Sequence, residues 1–158
     1  WTGNRNMVDM LELVKRYYYD PYTHGSNSIK AVLPGILKQS KALQAKYSQP
    51  IYGSHESLSS LNFTDWTWLV EQGGEWQNPY KQLPKLFEDI DEADKEYLTH
   101  LTEIEDGGAA LMAYARLQFA DVSDYERSKI EQGLLKYCEL DTLAMVMLYE
   151  GWLDLLKN

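Results

Sequence analysis

The feature that most constrains the fold is a long apolar run from about Ser123 to Leu156. At the α-helical rotation of about 100° per residue, one face gathers around Tyr137 and carries Ile130, Leu134, Ala144, Leu148, Trp152 and Leu155. Asp141 falls on that same apolar face. The opposite side forms a polar stripe that we expect to face water, interrupted by Leu143, with Lys136, Glu139, Glu150, Asp154 and Lys157. The run therefore predicts a long helix with one acid on its apolar side.

Asp141 is the candidate functional residue. Burying an unpaired carboxylate costs on the order of several kcal/mol, so such a group is normally protonated, hydrogen-bonded, paired with a cation or bound to a metal. Tyr137 lies one helical turn earlier on the same face. The spacing leaves two interpretations open. It favours a hydrogen-bonded core acid, and it is also compatible with a catalytic Tyr–Asp pair.

Size and composition predict one domain over residues 1–158, since 158 residues with 44% hydrophobic content can bury a core. No apolar stretch approaches the length of a membrane span and no secretory leader opens the chain, so we expect a soluble cytoplasmic protein without a membrane partner. Cys138 is expected to be a buried, reduced thiol. The net charge of −9 argues against non-specific phosphate binding, so any nucleic-acid role must depend on local basic groups, metals or another part of the protein.

The first half of the chain reads as helical. A first helix is predicted over about 7–19, capped by Asn6, and a second begins after Ser28 with Pro34 bending or interrupting it. An exposed helix is expected over Lys38–Lys46, and a weaker helical patch over Glu56–Leu61.

Two helices are predicted in the second half. One starts at Asp106-Gly107-Gly108, and Ser123 with Glu126 forms a capping box for the last helix. The acidic stretch 88–106 is interpreted as solvated surface; its resemblance to a calcium loop fails at the third ligand position.

A short β-hairpin insertion is predicted at about 62–84. Trp66, Trp68 and Val70 alternate, and the dipeptide Gly73-Gly74 can form the turn before Trp76. We expect these tryptophans to hold the hairpin on its own domain; the alternative is that they stack on nucleic-acid bases.

Four segments in order resemble domain of unknown function 2779, a microbial family: NMVDML at Asn6–Leu11, GSNSIKAVLP at Gly25–Pro34, DGGAA at Asp106–Ala110 and YCELDTLAMV at Tyr137–Val146. The family is similar to the RNase H-like exonucleases of the DEDDy type. The resemblance implies the fold class: a mainly α chain forming the helical C-terminal half of an RNase H-like α/β exonuclease domain, with a small β-hairpin insertion.

The resemblance also implies function. Tyr137 and Asp141 match the third-motif pair, in which the aspartate is a metal ligand and the tyrosine orients the attacking water. The first-motif Asp-x-Glu and the second-motif Asp would precede Trp1, so we expect a fragment of a longer protein and assign no catalytic role to Asp9.

The longer protein would be a 3′–5′ exonuclease on DNA or RNA with Mg²⁺ or Mn²⁺. The fragment alone would be inactive, with no metal bound. The alternative is a non-catalytic helical interaction module in which Asp141 is structural.

Overall fold

The computed structural model describes residues 8–54, 57–85 and 107–157, and these are mainly helical. The helices are α1 (Met10–Tyr17), α2 (Ile29–Gln39), α3 (Lys41–Tyr47), α4 (Gly107–Phe119) and α5 (Asp124–Leu155). A two-stranded antiparallel sheet pairs β1 (Glu71–Gln72) with β2 (Glu75–Trp76), and short 3₁₀ turns cover Pro21–Thr23 and Pro79–Gln82. Helices α2, α3 and α4 all pack against α5, which is the central element. The mainly helical class with a small hairpin is thus confirmed; the RNase H-like origin stays a prediction.

Helix α5 begins where the capping signal predicts. The Ser123 hydroxyl accepts a hydrogen bond from the Glu126 amide at 3.2 Å. The Glu126 side chain is buried and its carboxylate accepts from Nε of Arg116 on α4 at 2.5 Å. The glutamate of the predicted capping box therefore joins two helices.

The core lies where α2 crosses α5. Their closest approach is at Gly151, where a Cβ would lie only 2.2 Å from Cγ2 of Ile36, so this crossing requires glycine. The fully buried apolar side chains around the crossing are Val32, Leu33, Ile36, Leu37, Leu43, Leu140, Ala144 and Met147.

Helix α1 is shorter than the predicted span 7–19. It is capped by Asp9, whose Oδ1 accepts from the Leu11 amide at 2.9 Å, whereas the predicted cap, Asn6, lies outside the described residues. It ends because Tyr18 adopts an extended conformation two residues before Asp20-Pro21.

Pro34 does not interrupt α2, contrary to one predicted outcome. Proline cannot donate to the carbonyl four residues earlier, which belongs to Lys30. That carbonyl instead accepts from Nδ2 of Asn78 at 3.4 Å. A side chain from a distant segment thus replaces the missing helical donor.

The predicted exposed helix over Lys38–Lys46 is wrong in extent and exposure. Helix α2 continues to Gln39, and Ser40 then caps α3 by accepting from the Leu43 amide at 3.2 Å. Helix α3 buries Leu43, Gln44 and Tyr47 against the core. Its apolar side chains recur on one face, and α5 covers that face.

The predicted helical patch at Glu56–Leu61 is also wrong in its described part, residues 57–61. Leu58 there pairs with Tyr52 as an isolated β-bridge, and Tyr52 pairs in turn with Trp66. Backbone pairing with this neighbouring segment replaces the local helical bonds.

The hairpin with its Gly73-Gly74 turn is confirmed, but its strands cover only Glu71–Gln72 and Glu75–Trp76, so the alternating Trp66, Trp68 and Val70 lie outside it. Gly73 and Gly74 have φ of 63° and 81°, the left-handed values that a two-residue hairpin turn requires. Trp68 is 1% exposed and Trp66 is half-buried. Both rings belong to an aromatic cluster with Tyr52 and Phe63, so they hold the segment on the domain as expected.

The polar side of α5 does not face water as predicted. Glu139, Glu150 and Asp154 each accept a hydrogen bond from another segment, and Leu143 is buried among them. Helix α3 packs against this side, and Tyr52 and Asn62 donate hydrogen bonds to Glu139 on it. The sequence shows that α5 has an apolar side and a polar side, but it does not show which of the two the other helices cover.

The solvent-facing side of α5 is instead an apolar stripe, with Leu135, Cys138, Thr142, Met145, Val146, Tyr149, Leu153 and Leu156. Cys138 is a free, exposed thiol, so its predicted burial is wrong because it belongs to this outer stripe. Among the described residues, no helix has the length and apolar character needed to cross a membrane. The acidic stretch 88–106 lies outside the described residues.

Candidate functional site

Asp141 lies half-buried on α5, and its partner comes from a distant part of the chain. The Tyr80 hydroxyl donates to Oδ1 of Asp141 at 2.5 Å. This bond satisfies one carboxylate oxygen without neutralising its charge. Of the alternatives for an acid on an apolar face, hydrogen bonding is therefore the one observed.

Tyr80 is held in place by the 3₁₀ turn Pro79–Gln82. The Asn78 side chain caps this turn by accepting from the Tyr80 amide at 3.1 Å, and its Nδ2 reaches the Lys30 carbonyl on α2. Burial raises the pKa of the Tyr80 phenol, and the hydrogen bond to Asp141 and the charge of that carboxylate raise it further. The hydroxyl therefore remains a proton donor to Asp141 at any physiological pH.

Lys30 brings a cation to the same place. Its Nζ lies 4.7 Å from the ring centroids of both Tyr80 and Tyr137, whose centroids are 6.3 Å apart with planes tilted by 55°. An ammonium group over two aromatic faces gains cation–π attraction and holds both rings in position. The positive charge of Lys30 therefore lies beside the tyrosine that binds Asp141.

Tyr137 is buried, being 6% exposed, one turn before Asp141. Its hydroxyl lies near the start of α4, since a Cβ on Gly107 would be 3.9 Å from it. The structure therefore gathers the predicted Tyr137 and Asp141 with Lys30, Tyr80 and the DG-led helix.

An open groove of about 420 Å³ begins at Asp141. Its walls are mostly apolar side chains from α1 and α5, including Val14, Met145 and Leu148, and Asp9 lies on its border. Asp9 is also the α1 cap, which gives it a structural role. Asp141 thus stands where a buried polar cluster meets an accessible cleft.

The described residues do not assemble a metal site: no group of three or more His, Cys, Asp or Glu side chains is close enough to share an ion. Asp141 offers the hard oxygen ligand that Mg²⁺ and Mn²⁺ favour, but Mg²⁺ is usually held by one or two carboxylates together with substrate phosphates. Since Tyr80 already occupies Oδ1, Asp141 alone is at most one ligand of such a site.

Tyr80 and Lys30 are the site residues that the sequence pattern did not single out. Tyr80 lies 61 residues from Asp141 along the chain, so no helical or strand periodicity connects them. Two features of the sequence could have indicated them. Asn78-Pro79 favours a turn just before Tyr80, and Lys30 lies in the GSNSIKAVLP segment that carries the family resemblance.

Comparison of the chain with protein-family models, with curated protein sequences and with solved structures finds no match.

Proposed function

We propose that this chain supplies the third-motif Tyr–Asp pair of a DEDDy-type, metal-dependent 3′–5′ exonuclease acting on DNA or RNA. The observation that supports the proposal best is the placement of Asp141. It is half-buried, lies one helical turn after Tyr137 and is hydrogen-bonded to Tyr80, yet it borders an open cleft. A carboxylate at the wall of a cleft, oriented by a buried phenol, can present its free oxygen to a ligand.

Each residue has a distinct role in this proposal. Asp141 would be one ligand of a divalent ion, and Tyr80 fixes the orientation of its carboxylate. Tyr137 positions the attacking water, and Lys30 keeps the two rings in place. The ions, when bound, activate water and stabilise the attacking and leaving oxygens. The remaining carboxylates come from the longer protein, so the 158-residue chain alone is inactive.

The test is hydrolysis of end-labelled single-stranded oligonucleotides with Mg²⁺ or Mn²⁺. The longer protein should shorten them from the 3′ end, and the 158-residue chain should not. Asp141→Asn should abolish the activity because it removes the charge of a metal ligand. Tyr137→Phe should lower kcat while leaving the metal concentration for half-maximal activity unchanged.

Thermal unfolding of each variant is the control for folding. Both substitutions are nearly isosteric, so we expect little change in stability. Cleavage by the 158-residue chain itself would contradict the proposal that the longer protein supplies the other carboxylates of the site. An unchanged rate for a folded Asp141→Asn variant would remove Asp141 from the mechanism.

The second candidate is a non-catalytic helical interaction module, and the apolar stripe of α5 favours it. The stripe runs from Leu135 to Leu156, and Tyr149 near its middle is 56% exposed. Large exposed apolar patches mark interaction surfaces. In this function Asp141 and Tyr80 form only a structural bond. A folded Asp141→Asn variant would therefore keep its partner, whereas Tyr149→Glu would lose it.

A further inference from the structure

Exposed tyrosines and cations gather at the C-terminal end of α1, in a protein that is otherwise strongly acidic. We define the tyrosine–cation patch as Lys15, Arg16, Tyr17 and Tyr19. Tyr17 and Tyr19 are 79% and 88% exposed, although aromatic rings usually contribute to cores. Neither ring belongs to the hydrophobic core.

The backbone explains why these two rings face outward together. Helix α1 ends at Tyr17, and Tyr18 is extended, so side chains alternate between the two sides of the chain. Tyr18 faces inward and its hydroxyl donates to Asp20 at 2.9 Å. Tyr17 and Tyr19 are therefore presented by a segment anchored between them.

The cations of the patch are accessible to a ligand. Lys15 and Arg16 share one carboxylate, Glu12, at 2.9 and 3.6 Å, and the Arg16 side chain is 68% exposed. Glu12 pairs with both cations and Asp20 accepts from Tyr18, so this region carries two acids beside its two cations, and the exposed cations contribute as individual phosphate ligands. Beside the patch, Lys38 Nζ lies 3.6 Å from the ring centroid of Tyr22, another exposed tyrosine, and 3.5 Å from Oε1 of Glu75.

The patch also leads toward Asp141. Its four residues border a depression of about 290 Å³, on whose edge Asn27 lies. Asn27 also lines the groove that contains Asp141. The depression and the groove thus share one lining residue, Asn27, which is the point where a ligand could pass from one to the other.

We propose that the tyrosine–cation patch binds single-stranded nucleic acid and guides it along Asn27 toward Asp141. Exposed rings stack on bases of any sequence, and neighbouring cations bind the phosphates. The patch supplies the local basic groups that a chain with net charge −9 needs for this partner. The direction toward Asp141 rests on the proposed function, whereas binding by the patch does not.

The test is the fluorescence anisotropy of a short labelled oligothymidylate titrated with the 158-residue chain at low salt. Tyr19→Ala should weaken binding about tenfold, the typical loss for one stacked base. Tyr114→Ala, which removes a tyrosine of α4 that is 56% exposed, is the matched control and should leave the affinity unchanged. Tyr19→Phe should keep most of the affinity, because it keeps the ring.

Salt dependence provides a second measurement. Neutralising one phosphate contact should reduce the slope of log K against log salt by about 0.7 for a single strand. Arg16→Gln should show that reduction. The slope should stay constant for Tyr19→Ala, since stacking releases no counterions.

Absence of binding at low salt, or equal losses for Tyr19→Ala and Tyr114→Ala, would overturn the proposal. The outcomes separate it from the exonuclease function. If the patch binds but Asp141→Asn keeps full activity, the role assigned to Asp141 fails and the patch stands. If Asp141→Asn is inactive but Tyr19→Ala binds normally, the patch fails alone.

Discussion

The two sides of α5 that pack against the rest of the chain both carry acids bonded to tyrosines, but their surroundings differ. On the α3 side, Tyr52 donates to Glu139 at 2.6 Å and Tyr47 donates to Glu150 at 3.0 Å. On the other side, Tyr80 donates to Asp141 at 2.5 Å. The tyrosine–carboxylate bond by itself therefore does not distinguish a functional acid from a structural one.

The further partners make the difference. Glu139 accepts a second bond from Asn62, and Glu150 accepts one from Lys46, so both acids fasten neighbouring segments to α5. Glu139 and Asp141 both border an open depression, of about 440 and 420 Å³, so access to solvent does not separate them. Asp141 differs because, among the described residues, it accepts a hydrogen bond from Tyr80 alone. The comparison teaches that Glu139 and Glu150 each fasten a neighbouring segment to α5 through two partners, whereas Asp141 keeps one carboxylate oxygen that no described residue bonds.

The largest expected effect on stability comes from a substitution at Gly53, in the segment that packs against the α3 side of α5. Gly53 has φ of 76°, and a Cβ there would lie 2.0 Å from the Phe63 carbonyl oxygen. Gly53→Ala should lower the free energy of unfolding by about 3 kcal/mol or more, because backbone must move as well as adopt strain. Urea unfolding measures this change.

Gly73→Ala is the matched control for that prediction. Gly73 also has positive φ, 63°, but nothing lies within 4 Å of the added Cβ. Its cost should be about 1 kcal/mol, from strain alone. Equal costs at the two glycines would show that the 51–63 segment is not closely packed.

A smaller loss is expected for Glu139→Ala. The Tyr52 hydroxyl and the Asn62 amide would lose their acceptor, at a cost of about 2 kcal/mol in the free energy of unfolding. Glu131→Ala, at an exposed site on the same helix, should change it by less than about 0.5 kcal/mol. If the two variants unfold alike, Glu139 does not fasten the segment.

The smallest effect is a pH dependence. Burial alone would raise the pKa of Glu139, but hydrogen bonds from Ser60, Tyr52 and Asn62 hold it below its ordinary value of 4.5. Since the folded state favours the ionised form, the stability that Glu139 contributes is present above about pH 4.5 and is lost as the pH falls through the folded pKa. The melting temperature should be measured between about pH 6 and pH 3, the range in which carboxylates titrate. It should fall less steeply with decreasing pH for Glu139→Gln than for the unchanged protein.

Sequence patterns predicted the elements whose determinants are local. Helix α5, its Ser123 cap and the Gly73-Gly74 turn all depend on residues a few positions apart. The face shared by Tyr137 and Asp141 follows from the helical repeat in the same way.

The remaining features depend on contacts between distant residues. The polar stripe of α5 was expected to face water. Helical periodicity does not show that Tyr47 and Tyr52 donate hydrogen bonds to its acids. Continuity of α2 through Pro34 depends on Asn78, and the Asp141 environment depends on Tyr80 and Lys30. No pattern in a single sequence pairs such residues.

The most direct test compares Asp141→Asn with Glu139→Gln in the longer protein, measuring exonuclease rate and free energy of unfolding on the same samples. Asp141→Asn should lose about a thousandfold in rate, the scale for removing a preorganised charged group, with less than about 1 kcal/mol lost in stability. Glu139→Gln should lose stability and keep the rate of its folded fraction. Contradiction would come from the reverse pattern, in which Asp141→Asn unfolds the protein but leaves the rate of the folded fraction intact.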